Sequence, residues 1–189
     1  MPGSKPASPM VLFLAPEPVV HWTLADGTPL TMRPIGPQDA GLEQEFVRGL
    51  SQESKYFRFF AEVSELSPEM LERFTHPDPS RECALIVTVA RDGGELEVAV
   101  GRYALNPDNE SGEFAVVVAD AWNDRGIAWR LMQTLMRHAA RSGLKRLEGF
   151  ILSENRRMLD FVRALGFEIR PSVKGPAIKI ASRKLDDLA

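Results

Sequence analysis

WNDRGIAWRLMQTLMRHAARSG, residues 122–143, is the stretch on which the reading of this chain turns. From Ile127 onward the apolar residues recur at helical spacing, and Gly143 supplies a stop. Immediately before it stands EFAVVVA, residues 113–119, β-branched and apolar on both faces, the pattern of a central, buried strand. A short polar lead-in, NDRGIA (123–128), joins the two. A buried strand running straight into a helix makes an anion site, because the first-turn N–H groups have no intrahelical partner and the dipole favours negative charge. Gly126 lacks the Cβ that would hold a ligand away, Ala128 is small, and Arg125 and Arg130 add positive charge. The spacing is neither that of a P-loop nor that of the G-x-G-x-x-G dinucleotide fingerprint. A plain strand-to-helix turn that happens to contain a glycine accounts for this segment equally well when it is taken alone.

The flanking sequence supplies a sheet for this strand. VVHWTLADGTPLTMRPI (19–35) alternates around a DG turn and reads as a hairpin. Asp39 is positioned to cap a helix carrying Leu42, Phe46 and Leu50. Pro68 divides the following aromatic-rich stretch into two short helices, around 53–62 and 68–75. ECALIVTVARDGGELEVAVGRYAL (82–105) is a second hairpin, turning at DGG. After the central helix, LKRLEGFIL (144–152) reads as a strand. SENRRMLDFVRAL (153–165) follows as a helix with Met158, Val162 and Leu165 on one stripe, and GFEIR and PAIKIAS are closing strands. The order implies an α/β (α+β) fold, a mixed sheet with helices on its faces.

Bulk properties narrow the class. The 189 residues are 44% hydrophobic, enough for one sizeable core, and the formal net charge of -3 speaks against a general nucleic-acid-binding surface. The single Cys83 excludes an internal disulfide and a cysteine-based metal cluster, and with no recognisable signal peptide it points to the cytoplasm. VLFLAP is too short to span a membrane. His21, His76 and His138 lack metal-ligand spacing, so no metal is expected and all three read as surface or capping residues. Residues 1–17, opening MPGSKPASP, read as a disordered tail ahead of one domain over 18–189.

At this point the chain resembles the GNAT superfamily of acyl-CoA-dependent N-acyltransferases. The family's central signature is Gln or Arg, two free positions, Gly, one free position, then Gly or Ala; here it is Asn123-Asp124-Arg125-Gly126-Ile127-Ala128, with Asn at the first place. A second family element is matched from Asn155 through Gly166-Phe167, with Val162 where many members carry Tyr. The likeness covers about residues 28 to 182. DGTPLTMRPIGPQDA, ESKYFRFF, LSPEML, ECALIV and SENRRML are similar to the acetyltransferase domains of bacterial protein-lysine acetyltransferases. Some of those are fused to an acyl-CoA-synthetase-like module and others to a cyclic-nucleotide module. Neither module is expected here, nor the regulation it brings.

The resemblance implies a GNAT-type, mostly antiparallel sheet and acetyl-CoA as co-substrate. It implies that the backbone amides of Arg125, Gly126, Ile127, Ala128 and Trp129 hold the pyrophosphate. Val116, Val117 and Val118 pair with the pantetheine arm as an added strand, and Asn155 touches the cofactor while also suiting a helix N-cap. Amine acetylation needs a base, because a lysine ammonium has a reference pKa of about 10.4. Glu113, heading an apolar strand and matching the glutamate base of those relatives, is the candidate; Glu82 and Glu148 acting through water are the runners-up. The Val117 N–H is expected as oxyanion donor. With Val162 in place of Tyr, the proton donor to the thiolate is Tyr56, Tyr103 or solvent, or no dedicated acid exists. Phe57 and Phe60 read chiefly as core, though the YFRFF segment is also a candidate wall of the acceptor groove. Glu43, Glu45, Glu53 and Glu62 read as solvated helix faces, or else draw in a cationic acceptor. A protein lysine is the expected acceptor. A small-molecule amine acetyltransferase and a non-catalytic acyl-CoA sensor are the alternatives, and the oligomeric state stays open.

Overall fold

A computed structural model describes residues 19–188; the tail expected over residues 1–17 lies outside them. The strands are β1 (Val20–Thr23), β2 (Pro29–Pro34), β3 (Glu82–Arg91), β4 (Gly94–Leu105), β5 (Ser111–Val118), β6 (Arg146–Leu152), β7 (Glu168–Ser172) and β8 (Gly175–Lys184). They form one sheet in the order β1-β2-β3-β4-β5-β6-β8-β7. Every neighbouring pair is antiparallel except β5 and β6. Helices α1 (Ala40–Gly49), α2 (Gln52–Phe59) and α3 (Pro68–Thr75) precede the second hairpin; α4 (Ile127–Arg141) and α5 (Arg156–Ala164) flank β6.

Alternation along the strands divides the core into two layers. Leu85 and Val87 of β3 and Phe114 of β5 pack with Leu131, Leu135 and Ala139 of α4 and with Leu159 and Val162 of α5. Ala84 and Ile86 of β3 and Val100 of β4 turn to the opposite face, against Phe46 and Val47 of α1 and Leu50 just after it, with α3 and Val117 at the margin. Gly101 sets how closely α4 approaches. A Cβ there would lie 2.9 Å from both Leu131 Cγ and Leu135 Cδ1, so any larger residue would push the helix off the sheet.

Local chemistry fixes the helix ends. Ser51, Ser67 and Asn155 accept from the N–H groups of Ser54, Met70 and Met158, capping α2, α3 and α5. Gly143, at φ 83, closes α4, with Leu144 N–H donating to the Ala139 carbonyl at 3.0 Å. Asp39 stands before α1 but does not cap it. Its carboxylate instead accepts two 2.8 Å hydrogen bonds from the Arg33 guanidinium and one from Gly36 N–H, tying the helix start to β2. Burial alone would raise its pKa, but those bonds outweigh it and hold it below the usual carboxylate range. The helix expected over 53–62 ends at Phe59, because Phe60 takes a left-handed φ of 56.

Two residues read as surface lie inside. Glu43 is buried beside Arg102, with the ion pair at 3.6 Å. His138 is buried under the sheet, its Nδ1 2.6 Å from Tyr103 Oη, and is neither a surface nor a capping residue.

Candidate active site

The strands β5 and β6 run side by side for only three register pairs, Ser111 with Arg146, Gly112 with Leu147 and Glu113 with Glu148. Beyond Glu113 they part, and a cleft of about 920 Å³ opens between them. This is why Ala115, Val116 and Val117 are only half-buried, although the sequence reads as a strand enclosed on both faces. The pattern was right about the missing polar residues and wrong about what covers them, since a ligand cleft needs the same apolar wall as a core.

The hydrogen-bond alternation of β5 sorts its amides. Ala119 N–H donates to Val98, and Ser111 accepts from Asn106 N–H, which fixes the odd-numbered residues as the ones bonded to β4. The N–H of Val117, in register with Val100, therefore faces β4 and is spent there. Val117, the expected oxyanion donor, thus directs its N–H to β4, and Val116 and Val118 are the residues whose N–H groups face the opening. Side chains alternate in the same way. Glu113 and Val117 lie on the α1–α3 face, and Phe114, Val116 and Val118 on the α4 face.

At the far end of the cleft stands the N-terminus of α4. Gly126 is its N-cap residue, at φ 77, and no side chain caps the helix. The first-turn amides of Ile127, Ala128 and Trp129 are therefore left for another acceptor. A Cβ at Gly126 would meet nothing within 4 Å and would project into open space. Gly126, Ile127, Ala128 and Trp129 all border the cleft. The arginine side chains turn away from it: Arg125 pairs with Asp26 at 2.8 Å, and the Arg130 guanidinium lies 5.0 Å from the Trp22 ring centroid. At the start of α4 the positive pole is main chain, while Arg156 and Arg157 border the cleft from α5, Arg157 paired with Asp124 at 2.8 Å. Asn155 caps α5 from the opposite wall and borders the same cleft.

Glu113 sits where the strands separate, with a half-exposed side chain and Lys174 Nζ 4.0 Å from its carboxylate. The runners-up are less suited. Glu148 is held by Arg146 at 2.8 Å and does not border the large cleft. Glu82 borders only a smaller cavity on the α1–α3 side. Neither tyrosine borders the cleft either. Tyr103 is buried against His138, and burial first, then the neighbouring Cys83, pushes its hydroxyl well above its ordinary pKa; Tyr56 is exposed beside Phe57.

Helix α2 forms one wall of the cleft. Phe57 and Phe60 line the cleft instead of filling the core, and Phe60 is 40% exposed. Asp120 locks this wall in place, accepting from Ser51 N–H at 2.9 Å, Ser51 Oγ at 2.8 Å and Ser54 Oγ at 2.7 Å. Its burial works to raise its pKa, and these bonds hold it low. Asp120 and Arg58 both border the cleft; Arg58 lies within the YFRFF segment read as a candidate wall, whereas Asp120 was not legible in the sequence. The only available sign was an acid and two serines 66 and 69 positions apart, which no spacing rule connects.

An acyl-CoA fits what the residues offer: an uncapped helix N-terminus for its phosphates, a strand with unpaired amides for its arm, and no Cβ at Gly126 to obstruct it. No group of metal-binding side chains occurs among the described residues, and no helix among them is long and apolar enough to cross a membrane.

Comparisons with known proteins agree with this geometry. The model of the acetyltransferase (GNAT) family matches residues 48–167. An acetyltransferase of Pseudomonas aeruginosa is 34% identical over 149 residues, spanning 78% of this chain and 80% of its own. The GNAT domain of S. lividans PAT superposes with a TM-score of 0.80 at 28% identity, over 88% of this chain and 96% of that one. An acetyltransferase of the GNAT family from Streptococcus pneumoniae shares the fold at a TM-score of 0.65 and 17% identity, covering 82% of this chain and 99% of its own. The chain, with its mostly antiparallel sheet parted beside β5, belongs to the GNAT family of acetyltransferases.

Proposed function

We propose that this chain transfers an acetyl group from acetyl-CoA to a primary amine, with a protein lysine as acceptor and Glu113 as general base. The observation that carries the reading is the parting of β5 and β6 directly after the Glu113–Glu148 pair. It leaves a carboxylate at the head of a cleft whose other end is an uncapped helix N-terminus. Likeness to the GNAT domain of S. lividans PAT, a protein acetyltransferase, supports a protein acceptor. The free, buried Cys83 thiol suits an enzyme of the reducing cytoplasm.

Acetyl-CoA as co-substrate brings a thioester whose carbonyl carbon is open to attack by a neutral amine. Glu113 takes the proton that an ammonium carries near neutral pH, where its reference pKa of about 10.4 would otherwise keep it charged. The N–H of Val116, aimed into the opening, donates to the carbonyl oxygen as negative charge grows there. Val116 and Val118 hold the pantetheine arm through their main chain, with the Val117 side chain packed beneath. The amides of Ile127, Ala128 and Trp129 hold the pyrophosphate, with Arg125 and Gly126 shaping the turn that presents them, and Asn155 closes the site from α5. The chain offers no phenol at the cleft for the leaving thiolate, and water at the cleft mouth protonates it.

Calorimetric titration with acetyl-CoA, followed by thiol release with a panel of amines and lysine peptides, tests this. Binding followed by amine-dependent release is expected. Binding with no release from any amine would mean a non-catalytic acyl-CoA module, and no binding would remove the pyrophosphate assignment.

A further inference from the structure

Glu113 stands between two cavities. One is the cleft just described; the other, of about 350 Å³, opens on the α1–α3 side of β5. Arg58, from the last turn of α2, borders both of them, as Glu113 does. Its guanidinium lies 5.1 Å from the ring centroid of Phe59 and 5.6 Å from that of Phe74. No side-chain hydrogen bond or ion pair within 4.0 Å ties it down among the described residues, and Glu43 and Glu113 act on it only from a distance. The Arg102 guanidinium sits over the same Phe74 ring at 4.4 Å. Its Nε and Nη2 are buried without a hydrogen-bond partner, and its nearest counter-charge is Glu43 at 3.6 Å. Desolvation, then the charge of Arg102, lowers the Arg58 pKa to about 10, against the weaker opposing pull of Glu43 and Glu113.

Arg58 is half-buried at the margin of both cavities, and a guanidinium held there with no carboxylate in ion-pairing distance is stabilised by an incoming anion. The charges facing the small cavity are Arg58 from α2, Arg73 from α3 and Arg102 from β4, set against Glu82 of β3 and Glu113 of β5. With Glu113 facing the amine, the cavity is complementary to a molecule that is basic at one end and acidic at the other. We infer that Arg58 is the anchor of a carboxylate subsite, and that the acceptor is an amine carrying an acid group close to the nitrogen that is acetylated. The carboxylate belongs either to a free amino acid or to an acidic side chain beside a lysine in a polypeptide. Both present the same group to the same guanidinium.

This inference rests on the acyl-transfer reading, and its test separates the two. The rate of thiol release from acetyl-CoA is measured with matched acceptors: amino acids against their carboxamides, and lysine peptides with Asp or Glu against Asn or Gln beside the lysine. The acid form of one pair is expected to exceed its amide in kcat/KM by about ten- to a hundred-fold, the range of a charge-assisted hydrogen bond. Whichever pair shows the preference identifies the source. In Arg58→Gln the ratio should fall close to parity, and in Arg58→Lys it should partly return, a rescue that a merely structural role would not produce. Thiol release from amines with acid and amide forms used equally well in both pairs would overturn the subsite while leaving the transferase reading intact. A preference that survives Arg58→Gln would overturn it as well.

Discussion

Glu113 and Glu148 are the last register pair of the only parallel contact among the described strands. One step further on, the strands have separated. The carboxylate of Glu113 is thus held by a backbone paired on both sides, while Ala115 to Val118 pair with β4 alone, which places it rigidly at the edge of an opening.

The alternation of β5 makes a sharp prediction about two adjacent valines. Val116→Pro removes an N–H that faces the opening and should lower kcat by about 10²–10³-fold while the protein stays folded. Val117→Pro removes an N–H bonded to β4 and should instead destabilise the sheet. Thermal unfolding and steady-state kinetics on the pair decide it, and the reverse pattern would restore Val117 as the donor.

Gly126→Ala puts a side chain at φ 77 and a methyl group into the cradle. The left-handed conformation costs about 1–2 kcal/mol in an L-residue, so the melting temperature should fall by about 2–4 °C per kcal/mol for a chain of this size. Acetyl-CoA affinity, measured by calorimetry, should fall as well.

Asp120→Ala frees the N-terminus of α2 from the β5–α4 connection. Amide exchange over residues 51–59 should quicken, and KM for the amine should rise more than the dissociation constant for acetyl-CoA. Equal effects on both would mean that α2 does not wall the acceptor side.

Glu97 supplies a pH test away from the site. Its carboxyl is buried with no donor for either oxygen among the described residues, and desolvation first, then the facing Glu43, pushes its pKa well above the ordinary value. The unfolded chain therefore loses this proton at lower pH than the folded one. Below the ordinary glutamate range both states are protonated and nothing is lost; above it, stability falls until the folded pKa is passed. Glu97→Gln, which cannot ionise, should match the parent near pH 4 and become progressively more stable than it as pH rises. A constant offset across that range would show that Glu97 does not titrate in this way.

The sequence made the sheet and the turn at Gly126 readable because both depend on local rules: alternation, turn residues and a glycine that a left-handed φ requires. It misled wherever the answer lay in what packs against a residue. EFAVVVA has the composition of an enclosed strand whether a helix or a cleft covers it. Phe57 and Phe60 have core spacing whether they meet a core or a cavity. Glu43, Arg58 and His138 sit in polar or mixed surroundings along the chain, and only the fold brings burial, Phe74 and Tyr103 to them. The direction of the Val117 N–H, towards β4, was not legible because strand parity depends on which neighbour takes the bond.

The central claim is that Glu113 drives transfer in a cleft that binds acetyl-CoA by main-chain contacts elsewhere. Glu113→Gln tests it in one comparison of acetyl-CoA affinity and amine-dependent turnover. Affinity should stay within about two-fold, and turnover should drop by about 10²–10⁴-fold, the range of a lost general base. Unchanged turnover, or a loss of turnover matched by a loss of acetyl-CoA binding, would contradict it.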